Sequence, residues 1–91
     1  MHLRQRIPID GTADVQLDTS GHDYALLFVV TGAGGSCDYW IVSQDRTEYE
    51  AGTGTVAAGG VMARTTVWSS SNGGAKVNFG AGSHAVHVES T

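Results

Sequence analysis

The sequence has little of what several classes of protein require. Among its 91 residues only one is cysteine and one is proline, so the chain cannot form an internal disulfide or a zinc site built from cysteines. Lysine and arginine number 5 against 9 acidic residues, which gives a net charge of −4. Because phosphate binding depends on clustered basic side chains, this balance argues against a nucleic acid partner.

Long hydrophobic runs are scarce as well. The longest runs only from Tyr24 to Val30, far short of the roughly 20 residues that a membrane-spanning helix needs. The N-terminal residues lack the apolar centre of a signal peptide. The sequence therefore predicts a soluble protein that is made in the cytoplasm and has no membrane partner.

Glycine is plentiful, with 13 residues, and short alternating segments recur. Residues alternate in Val61–Trp68, and the Asn72-Gly73 pair that follows suits a tight turn with positive φ angles. A second alternating segment, Ala75–Phe79, comes next, so the pattern predicts a β-hairpin. Ser83–Val88 is predicted as a further strand.

Upstream segments show the same pattern. Gly11–Asp18, Cys37–Ser43 and Ala51–Val56 alternate between apolar and polar or small residues, which is typical of strands. Tyr24–Val30 is apolar on both faces and is predicted as a covered strand, with a helix as the competing interpretation. The chain is therefore predicted to be all-β, a small sandwich or barrel-like domain of about seven short antiparallel strands spanning residues 11–91.

The N-terminal segment, residues 1–10, is predicted to be an arm or an edge strand. It carries Leu3, Ile7 and Ile9 among polar residues, and Pro8 excludes its middle from a central strand. Such a segment could reach onto a neighbouring subunit or close its own sheet, and the sequence leaves both open. A domain this small buries little apolar surface unaided, which favours an oligomer.

The candidates for metal binding and nucleophilic catalysis are weak. His84 and His87 are three residues apart in a predicted strand, so they should project to opposite faces and cannot chelate one ion together. Cys37 could act as a nucleophile only beside a histidine and an orienting acid. A buried structural cysteine is the favoured interpretation.

A pair of acids and two glycine-rich segments complete the search for chemistry. Glu48 and Glu50 share a strand face and could imitate the two carboxylates of a glycosidase, but exposed acids on a strand edge commonly serve solubility and edge protection. Gly32–Gly35 and Gly52–Gly54 lack the Lys-Ser/Thr ending of a phosphate loop. We therefore expect no enzymatic activity, no catalytic residues, no metal and no cofactor.

Aromatic residues are the better candidates for function. Trp40 and Trp68 could each be a core residue or an exposed anchor for a protein or a sugar. Arg64 is predicted on the same strand face as Trp68, where a half-buried guanidinium needs an acid or carbonyl partner that could come from another subunit. The predicted subunit or partner interface consists of Leu3, Ile7, Ile9, Trp40, Arg64, Trp68 and Asn72.

Several of these segments also match a known pattern. They are Arg64-Thr65-Thr66-Val67, Ser70-Ser71-Asn72-Gly73-Gly74, Val77-Asn78-Phe79 with Gly82, and upstream Cys37, Tyr39, Ile41-Val42 and Glu50-Ala51-Gly52-Thr53-Gly54. Together they resemble a small domain of tailed bacteriophages, which occurs as a short free-standing virion protein and as the N-terminal piece of fibre proteins. Trp68 stands where that family usually carries a smaller aliphatic residue.

The resemblance implies a non-enzymatic structural component of a phage virion, synthesised in the cytoplasm of the bacterial host. Because Met1 opens a short chain with no fibre stalk behind it, we expect a capsid-associated decoration, cement or head-fibre protein. It would act as a homotrimer and contact major capsid or tail proteins. The alternatives are a tail or baseplate fibre adaptor, and a carbohydrate-binding module that contacts host-surface glycans through Trp40, Tyr39 or Trp68.

Overall fold

The chain forms one antiparallel sheet of six strands that curves into a nearly closed barrel. The computed structural model describes residues 2–9, 11–12, 14–21, 24–25, 27, 32, 34–80 and 82–90. The strands are β1 (His2–Pro8), β2 (Val15–Gln16), β3 (Gly35–Val42), β4 (Tyr49–Val56), β5 (Val61–Ser70) and β6 (Ser83–Ser90), in the order β1-β6-β3-β4-β5-β2. The predicted all-β class is confirmed, with six strands where about seven were predicted.

The core lies on the inner face of the curved sheet, where alternation places every second side chain. In β3, Cys37, Tyr39 and Ile41 are fully buried, whereas Trp40 and Val42, which alternate with them, face outward. β6 follows the same rule with Val86 and Val88 inside. The hydrophobic core therefore takes one face of the sheet and leaves the other face open for contacts.

β1 is the strand at one edge of this sheet. It pairs with β6 in a continuous antiparallel register that places His2 opposite Glu89 and Pro8 opposite Ser83. Leu3, Ile7 and Ile9 are only 4–5% exposed. In the structure this segment pairs within its own sheet and does not extend away as an arm. Leu3, Ile7 and Ile9 therefore lie in the core and not on the predicted contact surface.

A side chain joins the two edge strands. The Gln5 amide on β1 donates from Nε2 to the Asp18 carbonyl (2.6 Å), and Gln5 Oε1 accepts from the Asp18 backbone N–H (2.9 Å). The amide thus makes the two hydrogen bonds that a peptide group of a neighbouring strand would make. These two hydrogen bonds connect β1 to Asp18, which follows β2.

The predicted hairpin is correct in its first strand and its turn but wrong in its second strand. β5 and the turn at residues 71–74 are present, but residues 75–79 lie outside the strands, with a single bridge from Phe79 to Gly11. β5 pairs instead with β4 and β2. The Ser70 hydroxyl accepts from the backbone N–H groups of two turn residues and donates to the Ala75 carbonyl, so the chain winds into a loop.

The predicted strand Tyr24–Val30 is wrong at the positions that can be compared. Tyr24, Ala25 and Leu27 have helical backbone conformation, which is the competing interpretation, and the remaining residues of this run lie outside the described part of the chain. Tyr24 and Leu27 are both buried. A spacing of three residues places two side chains on one side of a helical turn, so this turn covers the core.

Within the described ranges, no helix has the length and hydrophobicity needed to cross a membrane.

Candidate functional site

The outer face of the sheet carries the large hydrophobic side chains that the core leaves exposed. Trp40 is 38% exposed, Val42 37%, Tyr49 44% and Trp68 50%. They come from β3, β4 and β5, and they lie beside His87 of β6. We call these five residues the aromatic face.

The strand register brings the aromatic face together in two rows across the sheet. In one row Trp40 lies opposite His87 on one side and Ala51 on the other, and His87 lies opposite Arg4 of β1. Ala51 is only 8% exposed despite its outward position. Directly opposite residues on one face of a sheet are in contact distance, so this row forms one continuous surface.

The second row lies one pleat further along the strands. Val42 is opposite Ala85 of β6 and Tyr49 of β4, and Ala85 is opposite Arg6 of β1. The Tyr49 hydroxyl lies 3.0 Å from the Ser69 hydroxyl, which holds the ring along the face. The two rows together extend the aromatic face across four strands.

The aromatic rings contact one another at their edges. The centroids of Trp40 and Trp68 are 6.4 Å apart with the planes at 88°, and those of Trp40 and His87 are 5.2 Å apart at 64°. Edge-to-face contacts of this kind stabilise aromatic pairs beyond the area that they bury. Trp40 is therefore held from two sides while part of its indole stays in solvent.

Trp68 reaches this face because β5 is irregular. Opposite β4, β5 has one extra residue between Ala63 and Thr66 and another between Val67 and Ser69. Such bulges shift the alternation of side chains along a strand. The prediction that Arg64 and Trp68 share a face is therefore wrong, since Arg64 is 1% exposed and Trp68 is 50% exposed.

Arg64 finds its acid within the same chain. Its Nε donates to Glu50 Oε2 (2.8 Å), and its Nη2 bonds Glu50 Oε1, with both side chains fully buried. The Tyr39 hydroxyl donates to Glu50 Oε2 (2.6 Å), and the Val77 backbone N–H donates to Oε1 (2.7 Å). No second subunit is required to neutralise the guanidinium.

The charges of this cluster are fixed by their surroundings. Burial opposes ionisation of Glu50, but hydrogen bonds from Arg64, Tyr39 and the Val77 N–H outweigh it and hold its pKa below the ordinary value. Burial, and then the hydrogen bond to Glu50, raise the pKa of the Tyr39 phenol. The carboxylate is thus an acceptor and the phenol a donor, and each is committed to a buried partner.

The cluster fastens the loop that follows β5. Arg64 donates from Nη2 to the Val77 carbonyl (2.7 Å) and from Nη1 to the Gly11 carbonyl (3.1 Å), and its guanidinium lies 5.4 Å from the centre of the Phe79 ring. Glu50 is therefore a buried structural acid, and the expectation of an exposed acid at a strand edge is wrong. The cluster stabilises the fold and faces away from solvent.

The other predicted site residues take varied positions. Asn72 is exposed in the turn, where its Nδ2 donates to the Lys76 carbonyl (2.9 Å). Tyr39 is fully buried, so it is excluded as a sugar-stacking residue. Cys37 is also buried, and burial, partly offset by a contact to the Gly54 carbonyl, raises the pKa of its thiol to about 11.

The two histidines of β6 face opposite sides, as predicted. His84 is 5% exposed, accepts from the Gln44 backbone N–H at Nδ1 (3.0 Å) and lies 2.6 Å from the Gly80 carbonyl at Nε2. These contacts identify Nε2 as the protonated nitrogen. His87 lies on the aromatic face, 3.8 Å from a Glu89 carboxylate oxygen. Among the residues that the structure describes, no group of three histidine, cysteine or acidic side chains could hold a metal.

The sequence indicated only part of the aromatic face. Alternation in β3 places Val42 on the side of Trp40, so that residue could have been found from the pattern alone. Tyr49 and His87 join the face only through the pairing of β3 with β4 and β6. Comparisons of the chain with protein-family models, curated proteins and solved structures find no match.

Proposed function

We propose that this chain is a non-enzymatic structural component of a tailed-bacteriophage virion that docks onto protein neighbours through its aromatic face. The observation that carries the proposal is the group of four large hydrophobic side chains exposed on one side of the sheet. Tryptophan, tyrosine and arginine dominate the binding energy of protein interfaces. Contiguous exposed apolar surface of this kind marks sites of association.

The distribution of polar groups supports the same proposal. Glu50, Tyr39 and Arg64 are committed to buried hydrogen bonds that hold the loop at residues 75–79. Trp40 and Trp68 are held by aromatic contacts and still expose large fractions of their surface. A rigid exposed side chain loses little conformational entropy on binding, which suits a docking surface.

Within the virion we propose a capsid-associated decoration, cement or head-fibre protein that assembles as a homotrimer. This choice rests on the resemblance of Arg64–Val67, Ser70–Gly74 and Val77–Phe79 to the phage domain. A tail or baseplate fibre adaptor would use the same face on a different partner. Copy number separates the two, since a capsid protein is present in hundreds of copies and a tail adaptor in a handful.

The test is co-sedimentation of the purified protein with phage capsids and, separately, with tails. Trp68→Ala should reduce the fraction bound to capsids at least tenfold, because it removes the most exposed side chain of the aromatic face. Lys76→Ala, an exposed change outside the aromatic face, should bind as the wild type does. Circular dichroism and urea unfolding should show that both variants keep their fold.

Two results would contradict the proposal. Binding to tails with no binding to capsids would replace the decoration protein by the fibre adaptor. A wild-type protein that remains monomeric and sediments with neither particle would exclude the virion role.

A further inference from the structure

We infer that a shallow groove at the β1 side of the sheet binds an acidic sugar unit, one that carries a carboxylate on its ring. The groove has a volume of about 320 Å³ and is lined mainly by Arg4, Trp40, Val42, Ala85 and His87. This volume lies at the lower end of the range of about 300–1,000 Å³ that is typical of small-ligand sites. The inference does not rest on the proposed virion role.

A small residue between larger ones creates the groove. Ala85 on β6 lies opposite Arg6 of β1 on one side and opposite Val42 of β3 on the other. In the next row Arg4, His87 and Trp40 lie side by side across the same three strands. The methyl group of Ala85 therefore forms a floor below the level of the surrounding side chains.

One side of the groove is cationic. Arg4 and Arg6 are exposed and two residues apart, so both point outward from β1. Neither makes an ion pair with an acid among the residues that the structure describes. The planar donors of a guanidinium match the two oxygens of a carboxylate. Arg4 lines the groove, and Arg6 lies beside it on the same outer face, opposite Ala85, so the two side chains place positive charge at one side of the groove.

The opposite side of the groove is aromatic. Trp40 is held by Trp68 and His87 at its edges and is 38% exposed. The C–H groups of a sugar ring pack well against an indole. Arg4 and Trp40 stand two strands apart, which is about 10 Å at the usual spacing of strands. A sugar ring with its carboxylate fits this separation.

The same geometry disfavours a peptide. β6 is paired on both edges, with β1 and β3, and β3 is paired on both edges, with β6 and β4. An extended peptide gains most of its affinity by adding a strand to an open edge, and neither floor strand offers one. The outer edge of β1 is bridged by the hydrogen bonds between Gln5 and Asp18. A ligand in this groove must bind by ring packing and side-chain contacts.

Nucleic acid is disfavoured by charge. Asp38 and Glu89 lie opposite each other one row further along the same outer face, about 7 Å from the row of Trp40. They would repel the successive phosphates of a nucleic acid strand. The Glu89 carboxylate lies 3.8 Å from His87 at one end of the groove, so a single carboxylate beside Arg4 on the Ala85 side keeps away from both acids.

The test is a titration of the ¹⁵N-labelled protein with trigalacturonate, followed by NMR. The expected result is a shift of the Trp40 indole N–H and of amides in β1 and β6, with affinity that weakens as salt is added. Arg4→Gln should weaken binding at least tenfold, because it removes one of the two cations. Lys76→Gln makes the same change of charge outside the groove and should bind as the wild type does.

Four outcomes would overturn the inference. They are no shift at millimolar trigalacturonate, equal affinity for the neutral trimer of galactose, equal loss in Arg4→Gln and Lys76→Gln, and tighter binding of a polyglutamate peptide or a single-stranded oligonucleotide. Arg4→Gln is expected to weaken sugar binding while it keeps capsid binding, because Arg4 lies outside the aromatic face. Failure of this inference is thus distinguishable from failure of the proposed function.

Discussion

The buried Glu50–Arg64 pair is the residue-scale feature on which the loop depends. A charge pair inside a protein loses its hydration, and it is retained only where hydrogen bonds satisfy both partners. Here the carboxylate accepts from Arg64, Tyr39 and the Val77 N–H, and the guanidinium also donates to two backbone carbonyls. Removal of either partner leaves the other charged and buried.

We therefore expect Glu50→Gln to lower the free energy of unfolding by about 3–5 kcal/mol, because it strands the Arg64 charge in the core. Urea unfolding followed by tryptophan fluorescence measures this loss. Glu48→Gln, two residues away and outside the strand, should change stability by less than about 0.5 kcal/mol.

The double variant Glu50→Leu/Arg64→Met separates the pair from its surroundings. It should be more stable than either single variant, because no unpaired charge remains. If the losses from the two single changes simply add, the two residues do not act as a pair and the interpretation fails.

Cys37 gives a second prediction at this scale. Its side chain is fully buried, and burial raises its thiol pKa to about 11. Since the thiolate is the reactive form, the native protein should resist a disulfide reagent at pH 8 and react fully once unfolded in urea. Rapid labelling of the native protein would show that β3 opens far more often than its packing indicates.

At the scale of elements, β4 is shaped by a glycine. A Cβ added at Gly52 would lie 2.0 Å from the Thr66 carbonyl oxygen and 3.0 Å from the Tyr39 hydroxyl. Glycine thus allows β5 and the Tyr39 side chain to approach the strand closely. The bulges of β5 occur in this part of the sheet.

Gly52→Ala should therefore destabilise the protein by about 1–3 kcal/mol or more, because backbone atoms must move to admit the methyl group. Gly80→Ala is the matched control, since nothing lies within 4 Å of its added Cβ, and it should be close to neutral. Thermal unfolding of both variants checks the difference. Equal stability of the two would mean that β4 and β5 separate at no cost.

The elements also show what the sequence could and could not predict. Alternation identified the strands predicted at Cys37–Ser43, Val61–Trp68 and Ser83–Val88, since a period of two is a local property. Alternation wrongly predicted a strand at residues 75–79. In that segment the backbone of Val77 bonds to Glu50 and Arg64 and does not pair with a neighbouring strand. Pairing between distant strands is not local, and it decides these contacts.

The aromatic face, too, could be predicted only in part from the sequence. Trp40 and Trp68 could be selected from the sequence, but whether each was buried or exposed could not. Two bulges in β5 turn Trp68 away from the side of Arg64, and no turn or proline signal in the sequence reports them. Tyr49 entered the face only through its register with Val42.

At the scale of the whole molecule, the acidic side chains set the response to pH. The pKa of Glu50 lies below its ordinary value of 4.5, and hydrogen bonds from Thr47 and Ser43 lower the pKa of Asp45 from 3.8 to about 2. Between the two values of each group, the unfolded chain binds more protons than the native one. The Asp45 contribution to stability is therefore present above about pH 4 and is lost as the pH falls toward 2. The Glu50 contribution is present above about pH 4.5 and is lost as the pH falls through its lowered pKa.

We expect the urea midpoint to be flat from pH 7 to about pH 5 and to decline steadily below pH 4.5. The decline should be shallower in Asp45→Asn, whose side chain no longer titrates. Unfolding curves at intervals of half a pH unit measure both profiles. A wild-type midpoint that is unchanged at pH 3 would show that these carboxylates contribute nothing to folding.

The pairing of β1 with β6 has a consequence for how this domain can be joined to other chains. Because His2 lies opposite Glu89, the polypeptide enters and leaves the sheet at one corner, with Cα atoms about 5 Å apart. A host protein could therefore carry the domain as an insert in a surface loop without stretching that loop. A fluorescent label attached next to His2 and one attached next to Glu89 would therefore lie at the same corner of the sheet.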